Sequence, residues 1–132
     1  MDAPCNVLVV DHDRLVNWVV TEWVEAAGCQ AITAENAVQA LEVLKSAVSI
    51  QVMVTDFCMP VFDGSELIGA ALKLRPELDI IITTGHVLPP YLQSRYHVLQ
   101  KPFLPTELEG ELGRRCCPIV KCSRINPIAY DN

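Results

Sequence analysis

Four short apolar runs in this chain end in, or lead at once to, residues able to do chemistry. Asn6-Val10 runs into Asp11, His12 and Asp13, and Gln51-Thr55 into Asp56; Ile80-Thr84 ends on Thr84 with Gly85 and His86 next, and His97-Gln100 leads to Lys101. Carboxylates, a hydroxyl and an ammonium therefore stand at equivalent points of successive apolar segments. Carboxylates packed together need a compensating cation, and hard oxygen donors with an open edge suit Mg²⁺, with Mn²⁺ as a substitute; such an ion also takes phosphate oxygens. A Lys meets phosphate as a point charge, and a Thr hydroxyl donates to it. Aspartate is a competent nucleophile for phosphoryl transfer. No GxxxxGK[ST] or GxGxxG cradle is present, so the phosphate is expected to arrive on a donor other than a tightly held nucleotide.

The elements that must position these residues alternate in kind. Short β-branched runs at Asn6-Val10, Cys29-Ala34, Gln51-Thr55, Ile80-Thr84 and His97-Gln100 read as strands buried on both faces of a parallel sheet. Between them, apolar residues recur at helical spacing. Arg14-Ala27 carries Leu15, Trp18, Val19, Trp23 and Ala26 as its expected inward face, with Asp13 as cap and Gly28 as stop. Ala37-Ser46 repeats the spacing through Val38, Leu41, Val43 and Leu44, and Ser65-Arg75 through Leu67, Ile68, Ala71 and Leu72, ended by Pro76. Pro89-Pro90 confines the next helix to a short piece around Tyr91-Arg95, and Pro105 opens a last helix, Pro105-Arg115. Five strands and about five helices in this order predict a doubly wound, flavodoxin-like α/β fold, a five-stranded parallel sheet with helices on both faces. In such a sheet ligands bind beyond the carboxyl ends of the strands, where the reactive residues cluster.

Composition sets the outer limits. The 132 residues suit one domain, read as 1–115, followed by a tail or docked extension, 116–132. The formal charge of −6 argues against direct nucleic-acid binding. No apolar stretch is long enough to span a bilayer and no secretory leader pattern opens the chain, so the expectation is a cytoplasmic protein without membrane insertion. Cys5, Cys29 and Cys58 sit singly in or beside apolar runs and read as small buried hydrophobes, while Cys116, Cys117 and Cys122 lack paired metal-binding spacing and a nearby His.

The same constellation resembles the response-regulator receiver domain of two-component signalling, over about residues 5 to 115. Val7-Leu8-Val9-Val10-Asp11 is similar to that family's first strand and acidic corner, and Val54-Thr55-Asp56-Phe57-Cys58-Met59-Pro60-Val61-Phe62-Asp63-Gly64 to its phosphoacceptor segment. Thr83-Thr84-Gly85-His86 resembles its switch-threonine region, and Leu99-Gln100-Lys101-Pro102-Phe103 its Lys-Pro motif. The resemblance implies that Asp56 accepts the phosphoryl group, that Thr84 and Lys101 act on it, and that Asp11, Asp56 and the Cys58 carbonyl hold Mg²⁺. His12, Asp13, Met59, Pro60, Gly85, His86 and Pro102 become neighbours of the site. It further implies a sensor histidine kinase or histidine phosphotransfer protein as donor and a downstream protein as target. With 17 residues after the last helix, the expectation is a stand-alone receiver, for which a homodimer through the last helix stays open.

The sequence departs from the family pattern at two places. His12 stands where the family carries a second acid that ligates the metal, and Val98 stands where it carries an aromatic that moves with the Thr. Imidazole is a poorer Mg²⁺ ligand than carboxylate and favours transition metals. These departures support an alternative, a degenerate receiver that binds proteins without being phosphorylated. A phosphatase or dehalogenase built on an Asp nucleophile is disfavoured, because its nucleophile follows the first strand and no inserted cap segment is visible.

Overall fold

The computed structural model describes residues 5–59 and 64–115. Pro60, Asp63 and the proposed tail 116–132 lie outside the described residues. Ten elements follow one another: β1 Asn6–Val10, α1 Arg14–Ala26, β2 Gln30–Ala34, α2 Ala37–Lys45, β3 Val52–Asp56, α3 Gly64–Leu74, β4 Asp79–Thr84, α4 Pro90–Arg95, β5 His97–Gln100 and α5 Pro105–Arg115. The strands form one parallel sheet in the order β2-β1-β3-β4-β5. The expected α/β architecture is therefore present, with boundaries moved by a residue or so. One such shift matters: β3 takes in Asp56, because Asp56 still pairs with Thr83 of β4.

Alternation along the strands sorts the core into two layers. Leu8, Val10, Met53, Ile80 and Ile82 pack beneath α2, α3 and α4 with Ala40, Leu44, Leu67, Ile68 and Leu92. Val7, Val9, Val52, Val54, Ile81 and Leu99 point the other way, against Val20 and Val24 of α1 and Leu108 and Leu112 of α5. Period-two alternation in strands that are apolar throughout is what burial on both faces requires. Each large side chain buried in this way contributes about 1.5–3 kcal/mol.

The inward faces of two helices differ from the sequence expectation. In α1 the buried stripe is Asn17, Val20 and Val24, with Val16, Val19 and Trp23 half-buried; Leu15, Trp18 and Ala26 are exposed. The cause is local. Asp13 caps the helix by accepting from the Leu15 and Val16 amides, and Asn17 turns inward to donate to the carbonyls of Asp11 and Ala34, which fixes the rotation of the helix. In α2 the buried residues are Ala37, Ala40 and Leu44, while Val38 faces solvent.

Gly28 after α1 has φ 97°, a left-handed conformation suited to glycine, so the expected stop is present. The cysteines divide three ways. Cys29 is a buried thiol outside any disulfide and Cys58 an exposed one, whereas Cys5 is buried and disulfide-bonded, so the reading of all three as simple buried hydrophobes holds for Cys29 alone.

Candidate functional site

The order β2-β1-β3 makes β1 and β3 neighbours whose outgoing helices lie on opposite faces of the sheet, and a crevice opens at their carboxyl ends. Asp11 leaves β1 there. Its backbone is anchored by Asp11 N donating to Ala34 O at 3.2 Å and by the Asn17 amide on Asp11 O at 3.1 Å, and its Oδ1 accepts from the Asp13 amide at 2.9 Å. Asp56 ends β3, and its Oδ1 accepts from the Cys58 amide at 3.3 Å. Both carboxylates are nearly fully buried, at 4% and 5% side-chain exposure.

Lys101 arrives from β5. Its amide donates to Thr84 O at 2.7 Å, continuing the pairing with β4, and a cis peptide joins it to Pro102. Next in the chain, Phe103 packs edge-on against Trp23 of α1, ring centroids 5.8 Å apart, so this turn is tied to the helix that leaves the first acidic corner. The ammonium lies 3.2 Å from Asp11 Oδ2 and 3.5 Å from Asp56 Oδ1, bridging the two acids.

His12 faces the other oxygens. Its Nδ1 lies 3.2 Å from Asp56 Oδ2 and 3.9 Å from Asp11 Oδ1, with its ring 45% exposed at the mouth of the crevice. The two carboxylates are thus held between an ammonium on the inner side and an imidazole on the outer side. Burial raises the Asp11 carboxyl above its usual value of 3.8, and the neighbouring Asp56 pushes the same way; the Asp13 amide and Lys101 oppose the rise without cancelling it.

The remaining described residues of the expected set lie at or after the ends of β1, β3, β4 and β5. Thr84 is fully buried at the end of β4, and its Oγ1 accepts from the His86 amide at 3.0 Å, which leaves the hydroxyl proton free to donate. Gly85, His86 and Pro102 are exposed on the connections that follow β4 and β5. Met59 is half-buried against the α2–α3 side of the core. Asp13 directs its carboxylate at the start of α1, so it serves the acidic corner through its amide and not through a second carboxylate. Val98 is half-buried on β5, and Tyr96 packs against the same core at the end of α4. Where the chain re-enters at Gly64, an added Cβ would sit 2.7 Å from Phe57 Cα, so the close return past Phe57 requires glycine.

Two contributions escaped the sequence reading. Asn17 is a buried polar residue on an otherwise apolar stripe, and its place between Asp13 and Val20 was the available signal. The Trp23–Phe103 contact spans 80 positions, so local patterning carried no sign of it.

One carboxylate oxygen each from Asp11 and Asp56 and a ring nitrogen of His12 lie within 4.8 Å of one another, a donor set that fits a divalent cation. The nitrogen makes it a mixed set, different from the all-oxygen shell that Mg²⁺ favours.

Comparison with known proteins agrees with this architecture. The family model of the response regulator receiver domain matches residues 7–112. The DNA-binding transcriptional regulator NtrC of Escherichia coli is 34% identical over 102 residues, covering 74% of this chain and 22% of NtrC. The C4-dicarboxylate transport regulatory protein DctD of Rhizobium meliloti is 32% identical over 113 residues, 82% of this chain and 24% of DctD. The chain therefore spans about a fifth to a quarter of the length of these relatives. Among solved structures, the Vibrio cholerae chemotaxis protein CheY4 superposes with a TM-score of 0.78 at 27% identity, covering 86% of this chain and 99% of that one. With the 2-1-3-4-5 sheet, the acids at the ends of β1 and β3 and the lysine after β5, the chain belongs to the response-regulator receiver family of two-component signalling.

Proposed function

We propose that Asp56 accepts a phosphoryl group from the phosphohistidine of a sensor kinase or phosphotransfer protein, and that the protein passes the signal on by altering its surface for a protein partner. The observation that supports this reading most is the Asp56 carboxylate itself, buried at the end of β3 and faced by Lys101 and His12. An Asp56 oxygen attacks phosphorus; the phosphorus–nitrogen bond of the donor breaks, the donor imidazole keeps the electron pair and takes up a proton, and an acyl phosphate results. Lys101, already 3.5 Å from Asp56, carries its charge to the transferred group, and the Thr84 hydroxyl donates to one of its oxygens. Asp11 and Asp56, with the Cys58 carbonyl that the family resemblance adds, would hold a divalent cation, Mg²⁺ or Mn²⁺, which when bound would supply positive charge against the phosphoryl oxygens.

In this reading the protein acts in the cytoplasm, and its output runs through protein contact and not through DNA, in keeping with the charge of −6. Among the described residues no helix is long and apolar enough to cross a membrane. A second reading, a receiver that binds partners without phosphorylation, has its own support: Lys101 and His12 already face the two acids from both sides, so both acids have polar partners within the chain itself. Intact-mass spectrometry after incubation with acetyl phosphate, with and without Mg²⁺ or Mn²⁺, separates the two. One added phosphoryl group that needs the cation and is lost in Asp56→Asn supports the acceptor; no addition to the folded protein under any cation leaves the binding module.

A further inference from the structure

The oxygens of the two acids are divided between two partners. Lys101 takes Asp11 Oδ2 and Asp56 Oδ1; His12 Nδ1 faces Asp11 Oδ1 at 3.9 Å and Asp56 Oδ2 at 3.2 Å. A cation drawn in on the His12 side would meet one oxygen of each acid and the imidazole nitrogen without displacing the ammonium. Separations between neighbouring ligands of a first-row divalent ion are about 3 Å, given metal–ligand bonds of about 2.0–2.2 Å, so modest side-chain rotation closes this triad on such an ion. The backbone is already set for it. Asp11 is fixed by Asn17 and the Asp13 amide and Asp56 by its place in β3, while His12, the most exposed of the three, is the one that must move. Its exposure also leaves the outer coordination positions open to water or to a phosphoryl oxygen.

Donor chemistry then decides which ion. Mg²⁺ prefers oxygen and near-ideal octahedral geometry, and it gains little from an imidazole. Co²⁺ and Zn²⁺ stand higher in the stability order for sites containing nitrogen and suit imidazole well. We infer that Asp11, His12 and Asp56 form a mixed nitrogen–oxygen site that selects a borderline transition-metal ion of the Co²⁺ and Zn²⁺ class over Mg²⁺. The inference rests on the reading of this crevice as the cation site of the receiver, and it moves the cofactor class of that site.

The test uses the full chain without phosphodonor. Calorimetric titration gives the affinities for Co²⁺ and Mg²⁺, and proton NMR with Co²⁺ bound shows whether the His12 ring carries the paramagnetic shift. Visible and near-ultraviolet absorption reports any thiolate ligand through its charge-transfer band, which separates this site from the cysteines. The expected result is Co²⁺ bound at least about tenfold more tightly than Mg²⁺, a shifted His12 ring and no thiolate band. His12→Ala should weaken Co²⁺ by about tenfold or more with little change for Mg²⁺, and His12→Asp should reverse the preference. Equal or tighter Mg²⁺ binding in the natural sequence, or unchanged Co²⁺ affinity in a folded His12→Ala protein, overturns the inference. Failure is distinguishable from failure of the acceptor reading. A Co²⁺-shifted His12 with no phosphoryl addition removes the latter alone, and phosphoryl addition with Mg²⁺ but no His12 shift removes the former alone.

Discussion

Replacing Asp11 by Asn should make the metal-free protein more stable. Three effects compete. The ammonium of Lys101 at 3.2 Å attracts Asp11 with about 5 kcal/mol at an effective dielectric of about 20. Repulsion from Asp56, across no more than 4.8 Å, returns at least about 3.5 kcal/mol of that. The remaining attraction, at most about 1.5 kcal/mol, is smaller than the several kcal/mol that burying a carboxylate ion costs, and Asp11 is only 4% exposed. The raised pKa of Asp11, with burial as its leading cause, has the same sign. Asn keeps an acceptor for the Asp13 amide or for Lys101 but not for both, so the net gain is about 1 kcal/mol, or about 3–5 °C in Tm for a domain of this size. Urea unfolding in EDTA at pH 7 measures it. The pH dependence has a defined direction too. Between the ordinary value of 3.8 and the raised value, the folded protein holds more protons at Asp11 than the unfolded chain does. This residue's contribution therefore makes stability fall as pH rises through that window, and the Asn variant lacks that fall. A saturating divalent cation should restore stability to the natural sequence, by about 2.7 kcal/mol at one hundred times Kd, and do little for the variant. An Asn variant less stable than the parent in EDTA would refute the argument, because attraction to Lys101 would then outweigh burial.

Three further perturbations test how the site is held. Asn17→Ala removes donors from the carbonyls of Asp11 and Ala34 and should cost about 1–3 kcal/mol in urea unfolding, with weaker cation binding as its functional sign; an unchanged midpoint would remove Asn17 as an anchor. Gly64→Ala places a methyl group 2.7 Å from the Phe57 backbone and should cost about 1–3 kcal/mol, with the Gly64 amide, now bonded to Phe57 O, losing protection in hydrogen exchange. Arg75→Ala releases a guanidinium that donates to the carbonyls of Leu44, Ser46 and Val48, so it should cost about 1–2 kcal/mol while leaving cation affinity at the opposite end of the sheet unchanged.

Element order was legible because most strands are short apolar runs rich in β-branched residues, and α1, α2, α4 and α5 start at a cap or a proline that the sequence displays. Asp13 before α1, Gly28 after it and Pro105 opening α5 are cases in which the residue itself enforces the local geometry. The clustering of Asp11, Asp56 and Lys101 was legible for a different reason: in a parallel sheet every strand delivers its last residue to the same edge. What failed was rotation about a helix axis. Leu15 and Trp18 obey helical periodicity with Val19, yet they face solvent, because α1 is turned by the Asp13 cap and by the Asn17 amide reaching carbonyls 6 and 17 positions away. Periodicity finds an apolar stripe but does not rank two overlapping ones. A buried polar residue with long-range partners decided between them here.

His12 shows the complementary case, in which a single residue changes chemistry without changing the fold. This residue lies two residues beyond the end of β1, outside the strand pairing, so the departure leaves the ladder of the sheet intact. An acid there would add a third negative charge to two carboxylates already within 4.8 Å and compensated by one ammonium, and the crevice would depend on a cation to offset the repulsion. With imidazole in that place the third charge is absent and a nitrogen donor stands 3.2 Å from Asp56. Demand for any cation therefore falls, and the preference among cations turns toward those that accept nitrogen. Both consequences follow from the same substitution, so His12→Asp should strengthen Mg²⁺ binding and lower the stability of the metal-free protein together, and a variant that shows one change without the other would break that link.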